Sequence, residues 1–252
     1  MNSNELLFKY CLRLGDDSLI LGHRLSELCG KGPILEEDLA LTNIALDLIG
    51  RTQAFLKYAA ELEGKGRTED DLAYRRPECN YYNHLISEQP NGDFAQTIGR
   101  QLFVSAFEFL FYNELAKSSD KTLAAIASKA VKEVKYHLQH AAEWTIRLGD
   151  GTSESHQRMQ KAIDDLWMYT GELFEMDETE QELIIAGIAV DRIPLKKEWL
   201  KEINTVLSEA TLNIPQKTFM QTGSSKGLHS EHLGHILAEM QYLQRAYPDA
   251  KW

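Results

Sequence analysis

Cysteine is scarce in this chain. Cys11, Cys29 and Cys79 are odd in number, widely spaced and form no Cys-x-x-Cys pair, which argues against a disulfide framework or a thiolate zinc site and leaves three ordinary reduced thiols. Basic residues are outnumbered: 27 Lys and Arg stand against 38 Asp and Glu, for a formal net charge of −11. Nucleic-acid affinity draws largely on clustered cations, so no nucleic-acid partner is expected and a basic protein surface suits the chain better. Long apolar runs are missing as well. The stretch from Leu102 to Phe111 is broken by Glu108 and falls far short of the ~20 residues that span a bilayer, so no membrane partner is expected. Met1 to Tyr10 lacks a basic segment followed by an apolar run, and a cytoplasmic location is the expectation. There is no internal repeat and no low-complexity tract, and no segment sustains the alternation of a strand.

What is present is helical periodicity over a hydrophobic fraction of 43%, ordinary for a globular core. A first helix is predicted from Asn4 to Cys29, ended by Gly30, Gly32 and Pro33. A second starts near Glu36 and Glu37, whose charges suit a helix N-terminus, and runs to Leu62 before Gly64 and Gly66. An irregular link, Arg67 to Gly92, holds Pro77, Pro90 and the turn signal Gln89-Pro90-Asn91-Gly92; a link of this length is usually functional or crosses a bundle. Two long helices follow, Asp93 to Lys117 and Asp120 to Leu148, with Ser118-Ser119-Asp120 as a short capped turn. Hairpin, long crossover, hairpin is the topology of ferritin-like bundles. Shorter helices are predicted over Ser155 to Glu175, Pro194 to Ala210 and His229 to Ala246. The expectation is therefore an all-α, ferritin-like four-helix bundle over about 4–149 with additional C-terminal helices over about 154–252, in one domain.

A bundle of this kind is a candidate di-iron protein, and that chemistry asks for one Glu from each of two helices and a Glu-x-x-His from each of the other two. The residues three positions before the eight histidines are Ile20, Tyr81, Val134, His137, Ser153, Lys226, His229 and His232. No Glu-x-x-His exists in the chain, and helix geometry leaves no looser spacing to replace it. His229, His232 and His235 with Glu231 form the densest metal-like cluster, but steps of three drift by about 60° around a helix; a polar helix start with a packed or partner-facing His is the plainer reading. The Gly223–Gly227 loop could hold an anion on backbone amides but lacks the GxxxxGK[ST] pattern. No Ser, Cys or Lys nucleophile stands at a recognisable spacing from a base.

Six separated blocks, in order, carry a resemblance over nearly the whole chain. They are Leu12-Arg13-Leu14-Gly15-Asp16, Asn43-Ile44-Ala45-Leu46-Asp47-Leu48-Ile49-Gly50, Glu88-Gln89-Pro90-Asn91-Gly92, Gly187-Ile188-Ala189-Val190-Asp191, Glu209-Ala210-Thr211-Leu212-Asn213 and Gly227-Leu228-His229-Ser230-Glu231-His232-Leu233-Gly234. With these the chain resembles the family of phenylacetyl-CoA epoxidase C subunits, the structural partners of a catalytic di-iron subunit in bacterial phenylacetate degradation. The resemblance implies a non-catalytic, heteromeric role beside a subunit that epoxidises the ring of phenylacetyl-CoA with O₂ and electrons from a separate reductase. Iron is then expected in that subunit, and no cofactor or metal in this chain.

The catalytic subunits resemble the chain weakly, and laying their ligand pattern on it leaves a degenerate set. Glu27 falls on their first-helix Glu. Their first Glu-x-x-His falls on Leu48 and Arg51, a guanidinium that cannot bind a cation, and their second on Val134 and His137. At best two of six ligands survive. A buried charge network of Arg51 with Asp47 and Glu27 or Glu133 is one expectation for the emptied centre; plain surface charges at i, i+4 spacing are the other. The resemblance also implies a contact with the CoA part of the substrate near the subunit interface, through Asn80, Tyr81, Tyr82 and Asn83, with Gln181, Glu182 and Leu183 as a second patch. A subunit of this kind should bury about 2,000 Å² or more against its partner, and alone it could pair with itself as a homodimer. The alternatives are a stand-alone di-iron or other metal-binding ferritin-like enzyme using Glu27 and His137, and a metal-binding helix built on His229 to His235.

Overall fold

The computed structural model describes residues 3–216, 218–248 and 250; of the span 1–252 expected to form one domain, residues 1, 2, 217, 249, 251 and 252 lie outside the described residues. Those described contain α-helices and short 3-10 turns and no strand, the composition of a ferritin-like helical bundle. The helices are α1 (Ser3–Ser26), α2 (Leu35–Glu63), α3 (Glu69–Tyr74), α4 (Phe94–Leu115), α5 (Lys121–Gly149), α6 (Ser153–Trp167), α7 (Glu178–Ile185), α8 (Leu195–Glu209), α9 (Glu231–Met240) and α10 (Tyr242–Ala246). They fall into two compact units, Met1–Cys29 with Leu39–Pro90 and Gly223–Trp252, and Gly30–Asp38 with Asn91–Thr222. The C-terminal third is thus divided: 153–222 groups with α4 and α5, and 223 onward with α1 and α2.

In the first unit α1 lies against α2 through glycines. A Cβ on Gly15 would stand 2.6 Å from Leu56 Cδ2, and one on Gly22 would stand 3.1 Å from Ile49 Cδ1, so the absent side chains let the helices approach. Leu19, Ile20, Leu25, Ile44, Phe55, Leu56 and Ala59 are buried there. In the second unit Asp93 caps α4 by accepting the Gln96 N–H, and Asp120 caps α5 by accepting the Leu123 N–H at 2.9 Å, each satisfying an amide that the first helical turn leaves open. Phe103, Trp167, Trp199, Phe107 and Phe174 stack edge to face or tilted, with centroids 5.5–5.8 Å apart, and the buried Trp199 indole donates to the Phe103 carbonyl at 3.0 Å. Aromatic packing of this kind, with the Trp199 N–H satisfied, suits a dry core.

Several helix ends differ from the sequence reading. The predicted first helix stops at Ser26 because Leu28 and Cys29 donate to carbonyls only three residues back, at 3.0 and 3.1 Å, the tighter hydrogen bonding common at helix ends. The predicted helix over Ser155 to Glu175 starts on the capping residue Thr152 and ends at Trp167, with a separate 3-10 turn at Gly171–Phe174. The link contains α3, held by a capping box between Thr68 and Asp71, and α7 is a helix that periodicity did not single out, started by Asp177 and Glu180 in the same arrangement. The predicted helix from His229 begins instead at Glu231, since Ser230 is its extended N-cap, and it breaks at Gln241 before α10.

Candidate functional site

The richest polar chemistry in the first unit gathers where the link 76–89 meets α1 and the C-terminal helices. Asp16 lies on the apolar face of α1 and is fully buried. Its carboxylate accepts two N–H groups from the buried Arg76 guanidinium, one of them at 3.0 Å, and the backbone N–H of Tyr82 at 3.0 Å. The Asp16 carboxyl pKa is raised, chiefly by burial, against the opposing pull of Arg76; three converging N–H donors nonetheless make the carboxylate the acceptor in this geometry. Burial also works against the Arg76 charge, but the Asp16 carboxylate more than offsets it, and the guanidinium pKa is raised. Arg76 donates further to the carbonyls of Leu72 and Asn80 and lies 4.1 Å from the Tyr81 ring centroid, a cation–π contact.

Tyr81 is buried and its phenol pKa is pushed up to about 12, chiefly by burial. The protonated hydroxyl donates to the Ala73 carbonyl and accepts the Gln241 amide at 2.8 Å, and that amide also donates to the Arg76 carbonyl. One turn further, the fully buried Glu88 accepts the Ser230 N–H at 2.7 Å and the Asn83 amide at 3.2 Å. Its backbone carbonyl accepts Nε and Nη2 of Arg24 at 3.1 and 2.8 Å. His229 completes the lattice. Both of its ring nitrogens face acceptors, Nδ1 the Glu88 carboxylate at 3.1 Å and Nε2 the Tyr81 carbonyl at 2.9 Å, so both carry protons and the ring is an imidazolium. Burial lowers its pKa, but the Glu88 hydrogen bond and charge outweigh it, and the pKa is raised. Nearby, Asp17 accepts the His84 backbone N–H at 2.6 Å and ring Nδ1 at 2.8 Å. Every one of these groups is engaged in holding the link in place, and the lattice contains no nucleophile beside a base.

The residues expected to contact CoA divide on this lattice. Asn80 is exposed and Tyr82 half-buried, with the Arg13 guanidinium 5.9 Å from its ring centroid, whereas Tyr81 and Asn83 point inward to the bonds just described. Of the second patch, Gln181 and Glu182 are exposed on α7 and Leu183 is buried. A buried ion pair at 2.5 Å between Arg192 and Glu180 braces α7 within the second unit.

The positions on which the resemblance lays a metal-ligand pattern carry a poor donor set. Leu48 and Val134 are buried hydrocarbon. Arg51 is buried and positively charged, the opposite of what a cation needs. Glu27, just beyond α1, has a side chain 36% exposed and is bound by Arg24 at 2.8 and 3.1 Å. His137 is buried on α5. Asp47 and Glu133 are half-buried, and Glu133 lies 3.4 Å from the exposed Lys129. The residues present do not fit a di-iron centre. Nor do His229, His232 and His235 form a cluster: His229 precedes α9 and is bound to Glu88, while His235 is exposed. Among the described residues no group of three or more His, Cys, Asp or Glu side chains is placed to share a metal ion, and no helix is long and apolar enough to cross a membrane.

The lattice residues were only partly legible in the sequence. Asp16 was the available signal: with Leu12 and Leu19 it occupies one helical stripe, and a carboxylate on an apolar stripe needs a buried partner. Its partner Arg76 is 60 residues away, and Gln241 is 165 residues from Arg76, distances that helical periodicity does not bridge.

Comparison with known proteins agrees with the resemblance. The C subunit of 1,2-phenylacetyl-CoA epoxidase from Escherichia coli (strain K12) is 52% identical to the chain over 246 residues, which cover 98% of this chain and 99% of that one. The family model described as phenylacetic acid catabolic protein matches residues 1–252. By that match along its length and by this relative, the chain belongs to the phenylacetic acid catabolic protein family.

Proposed function

We propose that the chain is the C subunit of a phenylacetyl-CoA epoxidase, a non-catalytic component that stabilises and positions a catalytic di-iron subunit. The observation that carries the reading is 52% identity to a named epoxidase C subunit over nearly the full length of both chains. Its substrate class, a CoA thioester of an arylacetic acid, comes from that relative's name. The lack of a usable donor set at Leu48, Arg51 and Val134 supports a role without iron of its own. The link lattice supports a positioning role: with Tyr81, Asn83 and Glu88 fixed, Asn80 and the Tyr82 ring are presented from a rigid base, and preorganised groups lose little entropy on binding. These two are the residues we assign to contact with the CoA portion, at the boundary with the catalytic subunit. Gln181 and Glu182 are the second candidate contact.

The test is metal analysis of the chain purified alone from iron- and zinc-supplemented medium, followed by reconstitution with the catalytic subunit. Metal well below one ion per chain and ring epoxidation only in the reconstituted complex are the expected results. About one or two irons per chain, or oxygenase turnover by the chain alone, would overturn the reading and favour the stand-alone metalloenzyme.

A further inference from the structure

One methionine sulfur takes the part of a polar acceptor. Met176 is half-buried just before Asp177, the cap of α7, and its thioether accepts the backbone N–H of Arg192 at 3.3 Å. A thioether is a weak acceptor, and among the described residues no other methionine sulfur is engaged in this way. Arg192 is in turn the residue that holds α7. Its buried guanidinium pairs with the buried Glu180 at 2.5 Å and donates to the Leu173 carbonyl at 3.4 Å. The segment 176–192 is thus fastened at one residue, its start through Met176 and its return through Arg192. Between them lies α7, with Gln181 and Glu182 exposed.

The hydrogen bond occupies one lone pair of the sulfur and leaves the other for an oxidant. With hydrogen peroxide, that lone pair forms a bond to one peroxide oxygen, the O–O bond breaks, and the second oxygen leaves as water with both protons. The sulfur is oxidised, the peroxide is reduced, and no other reactant is needed. The product is a sulfoxide, polar where the thioether was apolar. An N–H stands about 2.9 Å from an acceptor oxygen, so an oxygen placed between sulfur and nitrogen does not fit a gap of 3.3 Å. An oxygen on the other side of the sulfur draws the side chain toward water. Either the Arg192 backbone retreats or Met176 swings out, and the fastening of α7 is lost. We propose that Met176 is a reversible oxidation site whose sulfoxide loosens α7. The proposal concerns this chain alone and does not rest on the epoxidase reading.

The test is exposure of the purified chain to graded hydrogen peroxide, with oxidised residues located by peptide mass spectrometry and amide exchange followed in the same samples. Met176 should gain one oxygen while Met159, which is fully buried, does not. Exchange over 177–192 should then rise by about tenfold, a local opening, while α4 and α5 keep their protection. Methionine sulfoxide reductase should reverse both changes. Met176→Leu keeps the volume and removes the oxidisable sulfur, so its exchange should be the same with and without peroxide. Met176→Gln, polar like the sulfoxide, should show the raised exchange with no peroxide added. Three results would overturn the proposal: Met176 unmodified while other methionines oxidise, exchange over 177–192 unchanged by its oxidation, or an equal peroxide-driven rise in Met176→Leu.

Discussion

At the residue scale the chain commits charges to its interior, and each has a partner chosen by geometry. Asp16 and Arg76 are both essentially inaccessible, so neither charge can fall back on water if the other is removed. Replacing Asp16 by Asn should destabilise the protein by about 3–5 kcal/mol, the range for an orphaned buried charge, measured as a fall in the urea midpoint. A loss under about 1 kcal/mol, as for an exposed pair, would mean that water reaches the pair. His229 makes the opposite kind of prediction, one read in pH. Its pKa in the folded chain is raised above the ordinary value near 6.5. Its contribution to stability is therefore fully present below that value and is lost as pH rises through the higher folded one. Thermal midpoints measured at about pH 6 and about pH 8 should show the natural chain losing more stability on the alkaline side than His229→Gln. Equal slopes in the two proteins would remove the imidazolium from the lattice.

At the element scale the notable part is the return of the C-terminal segment. Gly227 has φ +71°, the left-handed region, and a Cβ there would run into the Cys79 carbonyl. This one residue turns the chain so that His229 and Ser230 reach Glu88 and α9 starts on its cap. Gly227→Ala pays twice, in backbone strain and in a backbone clash, and should cost about 1–3 kcal/mol or more. Limited proteolysis should then cut the 76–89 link faster than in the natural chain. An unchanged cleavage rate would show that the link holds without this turn. The turn between α4 and α5 has its own anchor, Ser119 N–H to the Gly187 carbonyl at 2.9 Å and the Ser118 hydroxyl to the Ile188 carbonyl at 2.7 Å. The short hairpin connection was legible as Ser118-Ser119-Asp120; its fastening to the segment after α7 was not, because the bonds join residues about 70 apart.

At the scale of the whole molecule, the family places the chain in phenylacetic acid catabolism, while three of the positions expected from the resemblance to match metal ligands hold hydrocarbon, at Leu48 and Val134, and a guanidinium, at Arg51. Changing Glu27 or His137 to Gln should therefore act on stability alone. Glu27 is a partly exposed partner of Arg24 and should matter little; His137 is buried and should matter more. The rate per assembled catalytic subunit should stay within about twofold of the natural complex for both variants, a difference of about 0.4 kcal/mol in barrier, measured on complexes of verified stoichiometry. A large loss of turnover in an intact complex would assign these residues a chemical part.

Local rules were enough for the helices. Periods near 3.6 and the caps Asp93 and Asp120 specify α1, α2, α4 and α5 to within a few residues, because a helix is written in contacts three and four positions apart. Composition alone likewise argued against a membrane span and a phosphate-backbone partner, and the missing Glu-x-x-His by itself argued against iron. Side-chain placement across long separations was decided only by the tertiary structure. That Tyr81 and Asn83 turn inward while Asn80 is exposed and Tyr82 half-exposed depends on Asp16 and His229 reaching the link over 60 to 148 residues of sequence, and on Glu88, the partner of Asn83 five residues away, being bound by His229 141 residues on. Burial makes those meetings obligatory, since a polar group taken from water must find its partner wherever in the chain that partner lies.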